Sequence, residues 1–387
     1  MKRAITAIIL LCTLAAGVIS CSGDTDETTS TNLGRMLANV PASFLDSMDV
    51  FFADTALARE LYAAPEIENQ EALKKLPDEQ KELFLSAFNE TSSVRPDWQQ
   101  YDLWNTIGFD IVTPDRLLIC GSVPPKISTV MEGDFNTETI REKITALGYG
   151  EITHESSLYY SARDDYQIAI TDPLGRMVMA SMNDMLVENN FVMVSPAKEF
   201  VTGVMDTRDG ELDSAEDIPA VQALTDSLGD VLVGSITVPE RLIINPGTSG
   251  STAIFNQAIA EDWGTLHDYE MAALGYRAEG DERYFDIALY YTDSAAAEAD
   301  GKEIVKRMQS YSLNSFATDA SIATPFTNRY EPGEPELKHY ENGTVLIISC
   351  RVTDDQTGIS VTLIGGSSAP FRDLLFLAPV PQQYIAK

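Results

Sequence analysis

From about residue 107 onward, short apolar runs rich in β-branched residues alternate with stretches of helical spacing, and this alternation restricts the chain to an α+β architecture. Val130 to Phe135 reads as a strand, and Asn136 caps a helix that runs to Leu147 and stops at Gly148. Leu158-Tyr159-Tyr160, Ile168 to Thr171 and Met177 to Ser181 read as antiparallel strands, with Asp172-Pro173-Leu174-Gly175 as the turn between the last two. Phe191 to Val194 is a further strand, leading into a helix that opens at Ser195-Pro196, and Asp230 to Thr237 follows as another strand. Later, Tyr284 to Tyr291 alternates strongly. Asp293 or Ser294 then caps a helix whose Ile304, Met308 and Tyr311 share a face. Thr344 to Val352 and Ile359 to Ile364 read as a closing hairpin, and Phe371 to Leu377 as a last apolar segment.

Residues 33–106 are mainly helical by the same criteria. Leu33, Met36, Leu37 and Val40 fall at helical spacing and stop at Pro41, while Met48 to Phe52 is short enough for a strand. Trp98, Tyr101 and Trp104 form an aromatic stripe, read as core packing in preference to a ligand platform. Thr113 to Ile119 matches Val238 to Ile244 at an offset of 125, and Leu147-Gly148-Tyr149 has a counterpart in Leu274-Gly275-Tyr276. The expectation is two related antiparallel-sheet units with helices on one face, 107–237 and 238–387, the second holding a long loop at 312–343. The order of elements between 130 and 237 is that of a ferredoxin-like βαββαβ unit. Gly133-Asp134-Phe135, a helix, Gly148-Tyr149 and a following tyrosine pair resemble a pattern recurring in uncharacterised bacterial lipoproteins with tandem ferredoxin-like domains. That resemblance covers most of 107–311 and implies a fold, with no activity attached.

The first twenty residues carry a separate signal. Lys2 and Arg3 precede an almost unbroken apolar run, Ala4 to Val18, too short and wrongly flanked for a spanning helix but shaped like a secretory signal. Val18-Ile19-Ser20-Cys21 resembles the bacterial lipobox, in which the cysteine becomes the lipidated first residue of the mature chain. The resemblance implies a signal peptide over 1–20, diacylglycerol on Cys21 and an acidic flexible tether over 21–32. Ser22, in place of Asp, implies the outer membrane where the host has two membranes. No other stretch approaches the length of a membrane span, so the expected attachment is an anchor on the extracytoplasmic side of the bacterial envelope. Cys120 and Cys350 would then share an oxidising compartment. They are either a disulfide, adding about 4–5 kcal/mol by loop closure, or two independent buried thiols.

Charge narrows the partners. With 27 Lys and Arg against 59 Asp and Glu, the net charge is −32, which repels phosphate backbones and excludes nucleic acid. The three histidines, His154, His267 and His339, stand alone, outside any zinc-ligand spacing. Gly247-Thr248-Ser249-Gly250-Ser251 departs from a nucleophile elbow. Ser195-Pro196-Ala197-Lys198 matches a Ser-x-x-Lys pair with Tyr340-Glu341-Asn342 as a conceivable second motif, but the Lys-Thr-Gly third motif is absent. The acidic cluster Asp206, Asp209, Glu211, Asp213, Glu216 and Asp217 fails the EF-hand pattern at its first and third positions. The expectation is therefore no cofactor, with calcium the one candidate, and no catalytic or metal residue. The reading is a non-catalytic binding module for a solute, an envelope polymer or a protein. The alternatives are an exported hydrolase whose site assembles only in the fold, marked by a pocket joining Ser195, Lys198 and Tyr340, or a purely structural lipoprotein.

Overall fold

A computed structural model describes residues 30–94, 102–123, 126–171, 173–178, 180–239, 258, 261–313, 324–353 and 374–375. The helices are α1 (Asn32–Leu37), α2 (Ser43–Ser47), α3 (Thr55–Leu61), α4 (Gln70–Lys75), α5 (Asp78–Thr91), α6 (Leu103–Ile107), α7 (Thr137–Ala146), α8 (Pro173–Val178), α9 (Lys198–Arg208), α10 (Pro219–Leu228) and α11 (Ser294–Ser310). The strands of the first half are β1 (Val50–Asp54), β2 (Arg116–Val123), β3 (Lys126–Glu132), β4 (Gly150–His154), β5 (Ser157–Ser161), β6 (Asp184–Glu188) and β7 (Phe191–Ser195). Those of the second half are β8 (Val233–Thr237), β9 (Met271–Glu279), β10 (Glu282–Tyr291), β11 (Ser312–Leu313), β12 (Thr324–Pro325), β13 (Tyr330–Pro332), β14 (Glu336–Tyr340) and β15 (Gly343–Val352).

Thirteen of these strands make one antiparallel sheet in the order β13-β15-β10-β9-β8-β1-β2-β3-β7-β6-β5-β4, with β14 also paired to β15. Its centre is the seam between β1 and β8, where Val50 faces Ile236 and Ala53 faces Val233. Outward from that seam the two directions have the same plan. On one side β1, the β2–β3 hairpin and helix α7 are followed by β7, which returns against β3. On the other, β8, the β9–β10 hairpin and helix α11 are followed by β15, which returns against β10.

Strand alternation builds a core on each face. Val50, Phe52, Leu118, Val130 and Ile236 lie under Leu33 and Leu37 of α1, Phe44 of α2, Val201 and Val204 of α9 and Leu224 of α10. Ala53, Leu117, Met131, Val233, Leu289 and Ile348 lie under Ala58 of α3, Phe84 of α5, Ile140 and Ile144 of α7 and Ile304 and Met308 of α11. Helices thus cover both faces, not one. This arrangement also separates the cysteines. Cys120 lies in one core and Cys350 in the other, both buried free thiols, so the bridge does not form. Burial pushes the Cys120 thiol up to about 12 and raises that of Cys350 as well.

Several local expectations also change. A split βαβ unit brings its helix-linked strands to either side of one intervening strand, whereas α7 carries the chain from β3 to β4, with β7, β6 and β5 between them. Pro173 opens helix α8 where a turn and strand were expected, because its fixed φ suits a first helical turn. The stretch 168–171 forms no strand. The expected loop 312–343 carries β11 to β14, two of which pair with β15. Leu147-Gly148-Tyr149 ends a helix while Leu274-Gly275-Tyr276 lies inside β9, so this part of the sequence repeat does not mark equivalent positions. The match at 238–244 lies outside the described residues beyond Pro239, as do Trp98, Tyr101, residues 247–251 and 359–364, and the signal segment with Cys21.

The seam is fastened by Asn32, which was expected to end the tether. Thr31 instead caps α1, and Asn32 is 2% exposed. Its Nδ2 donates to Asp54 Oδ2 at 3.0 Å and to the Val231 carbonyl at 2.8 Å, while its Oδ1 accepts from Val231 N–H at 3.1 Å. Asp54 in turn caps α3 through Leu57 N–H at 2.8 Å and accepts from Arg116 Nε at 3.1 Å. Asn32→Ala leaves the Val231 N–H and C=O unpaired and removes one of the two donors to buried Asp54 Oδ2, the other being Arg116 Nε, so we expect a loss of about 3 kcal/mol. Glu142→Ala, on the exposed face of α7, should change stability by under about 0.5 kcal/mol. Urea unfolding of both variants checks this.

Candidate functional site

The short helix α2 and the longer α9 lie side by side on one face of the sheet. Gly203 permits the approach, since a Cβ there would sit 3.1 Å from Pro41 Cγ and 3.7 Å from Phe44 Cε1. Between the two helices, at the end of the β2–β3 hairpin, lies a groove of about 520 Å³. Its floor is apolar: Phe44 and Phe200 meet edge to face at 5.5 Å, with Met48 alongside. The rim carries Ser43, Ser47, Lys126 and Glu199, all exposed.

Tyr166 forms the remaining wall, edge-on to Phe200 at 6.5 Å. It adopts a left-handed φ of 59°, rare for an aromatic residue, and the surroundings hold it there. Its N–H donates to the Pro196 carbonyl at 2.7 Å and its hydroxyl to Glu199 Oε1 at 3.0 Å. Asn183 Nδ2 supports the same loop by donating to the carbonyls of Asp164 and Gln167, each at 3.1 Å. Burial, reinforced by the Glu199 carboxylate, pushes the Tyr166 phenol up to about 12, so it remains a donor. Glu199 is thereby engaged. Lys126, by contrast, has no ion-pair partner among the described residues. The groove can seat an apolar group on the aromatic floor while an ammonium and two hydroxyls face its polar end.

The Ser-x-x-Lys residues are put to other uses. Ser195 is fully buried at the end of β7, its Oγ 3.1 Å from Ser128 Oγ and accepting from Ala197 N–H at 3.2 Å. Lys198 is exposed, and its backbone N–H donates to Asp165 Oδ1 at 3.0 Å, which caps α9 from a neighbouring loop. Tyr340 lies 2.8 Å from Ser227 Oγ of α10, on β14 beyond β15. Six strands separate β7 from β15, on the order of 30 Å at the usual strand spacing. The three residues do not converge, and none lines the groove. In the acidic cluster, Asp217 forms a reciprocal cap with Ser214, and Asp206 Oδ1 lies 2.6 Å from His154 Nε2.

Sequence reasoning also missed a second histidine pairing. Asp300, 2% exposed, accepts from His267 N–H at 2.8 Å and from Tyr291 hydroxyl at 2.8 Å, and its Oδ1 lies 2.7 Å from His267 Nδ1. The hydrogen bond and charge of Asp300 raise the His267 pKa. Nearby, buried Arg307 donates to the carbonyls of Leu374 at 2.6 Å and Gly264, and Tyr269 hydroxyl donates to the Leu375 carbonyl at 2.9 Å. These bonds fasten the segment 374–375 to α11 and to the approach to β9. Neither the groove nor this network has a local motif, because each joins residues far apart in sequence.

No family model matches the chain, and no curated protein matches it. Among solved structures it is similar to crystal form I of TP0453, at 8% identity and a TM-score of 0.35 over 89% of this chain and 99% of that one. Crystal form III gives 9% identity and a TM-score of 0.34 over 83% and 97%. Superposition at this level supports no inference about fold or activity.

Asp184, beside the loop that carries Tyr166, is 1% exposed, and its Oδ2 has no hydrogen-bond partner among the described residues. Burial pushes its carboxyl up to about 6. Asp165 adds to the shift, while the Ser161 hydroxyl and Lys198 oppose it. The native state therefore holds this proton more tightly than the unfolded chain. Its contribution to stability falls as pH rises from about 4 through 6, and above that the buried charge costs up to about 3 kcal/mol. Asp184→Asn should melt higher than the parent at pH 7.5 and gain much less at pH 4. Thermal melts by circular dichroism at both pH values check the sign, and a larger gain in acid contradicts it.

Proposed function

We propose that this is a lipid-anchored extracytoplasmic envelope protein, and that its folded part is a non-catalytic binding module for a solute, an envelope polymer or a protein. Cys21, preceded by the basic Lys2-Arg3 and the apolar run Ala4 to Val18, is the proposed attachment site. The observation that carries the binding reading is the groove, whose buried aromatic floor and exposed polar rim fit the general make-up of ligand sites. Binding is favoured over hydrolysis because Ser195, Lys198 and Tyr340 each have separate structural partners. The matching strand order on either side of the β1·β8 seam further supports two related units, joined edge to edge.

Two experiments test this reading. Radiolabelled palmitate fed to cells expressing the full chain should label the parent and not Cys21→Ser, and equal labelling removes the anchor assignment. Native mass spectrometry of the purified protein should show a mass released on denaturation, absent from Ser47→Trp, whose indole fills the groove. Mass retained by Ser47→Trp places the site elsewhere, and a parent without bound mass favours a structural role.

A further inference from the structure

Among the described residues the sheet ends at β4, which pairs with β5 alone, so one side of its backbone is open there. The hairpin closes through a two-residue turn, with His154 opposite Ser157 and Ile152 opposite Tyr159. In such a hairpin the pair flanking the turn is hydrogen-bonded and the pairs alternate from there. The N–H and C=O groups of Glu151 and Thr153 therefore point away from β5. Gly150, Glu151, Ile152 and Thr153 are all exposed. Only Tyr160 and Ser161 of β5 pair with β6, and the turn end of the ribbon is held instead by His154, whose Nε2 lies 2.6 Å from Asp206 Oδ1 of α9.

Its side chains match this open edge. Seven large apolar side chains are strongly exposed among the described residues, and Leu147, Ile152 and Leu158 of this turn and hairpin are three of them, at 38%, 41% and 47%. Proline and lysine, which commonly blunt edge strands, are absent from 144–162. Of Asp, Glu, Lys and Arg this stretch contains Glu151 and Glu155 alone, since Lys143 and Arg163 lie just outside, and its one histidine, His154, is turned to Asp206 of α9. A second copy of the chain would bring another net charge of −32 to this acidic edge, which opposes self-pairing.

We propose that β4 is a docking edge for an extended, cationic segment of a partner protein, which adds to the sheet as a further strand. Backbone bonds to Glu151 and Thr153 supply the pairing. An apolar residue of the partner packs on Ile152, and lysines or arginines on the alternate face meet Glu151. This inference does not depend on the groove or on the lipid anchor.

The test uses the full chain and a fluorescein-labelled peptide, acetyl-KVKVKVK-amide, followed by fluorescence anisotropy and hydrogen–deuterium exchange. Saturable binding should slow exchange at residues 150–154. Replacing the central valine of the peptide with proline keeps its charge and should weaken binding at least tenfold. Thr153→Pro removes an outward N–H and should weaken it similarly. Glu151→Lys, which reverses the charge on an exposed strand and gives up one long bond of 3.4 Å from the Tyr160 hydroxyl, should weaken it several-fold. The proposal fails if the peptide does not bind, if its proline version binds equally well, if exchange at 150–154 is unchanged, or if Glu151→Lys binds as the parent does.

Discussion

The antiparallel pairing of β1 with β8 is the contact on which the rest of the molecule depends. These strands lie about 180 residues apart in the chain, and both are buried on both faces. Neither is stable as a lone strand. Together they turn two shorter sheets into one and give each face an apolar floor wide enough to dock helices. The Asn32 clasp secures this pairing where the strands begin and end. It joins the entry to β8 with the exit from β1, and Arg116 extends the connection to β2 and Glu132. A single amide thus satisfies polar groups that the seam would otherwise bury unpaired.

The groove follows from the same geometry. Helix α2 immediately precedes β1, and α9 immediately follows β7, so their separation is set by the strands to which they are tied. Gly203 and the Phe44–Phe200 contact then fix how closely they pack. Tyr166 is positioned from the other direction, through Asn183 and the Pro196 carbonyl at the end of the β6–β7 hairpin. The groove is a product of three chain segments, none of which carries a recognisable ligand motif.

That explains what the sequence could and could not disclose. Elements governed by local physics were readable: Asn136 and Asp293 as caps, Phe191 to Val194 and Tyr284 to Tyr291 as strands, and the helix over 294–310. The edge strand β4 was missed because an exposed strand has no apolar face to betray it. The prolines and polar residues of 312–343 suggested a loop, but β13 and β14 are held by the strongly apolar β15. Their own sequences are nearly neutral on the matter. Helices on both faces, the cysteines' separation and the groove all depend on strand order, which local pattern does not encode.

Charge distribution links the interior to the surface. The chain has few cations, and buried Arg307 and half-buried Arg116, Arg277 and Arg283 are committed to carboxylates: Arg116 to Asp54, Arg283 to Glu90, Arg277 to Asp286 and Arg307 to Glu303. Glu90 shows the pattern most fully, accepting from Tyr62 at 2.5 Å, Tyr276 at 2.8 Å and Arg283 at 3.1 Å in a nearly dry site. Planar guanidinium groups suit such multidentate sites better than ammonium groups do. This use of arginine leaves the excess acid on the surface, where it opposes self-association and favours cationic partners. Against that background Lys126, which has no ion-pair partner among the described residues, is a local exception beside its aromatic floor, and a strand edge that carries Glu151 follows the general rule.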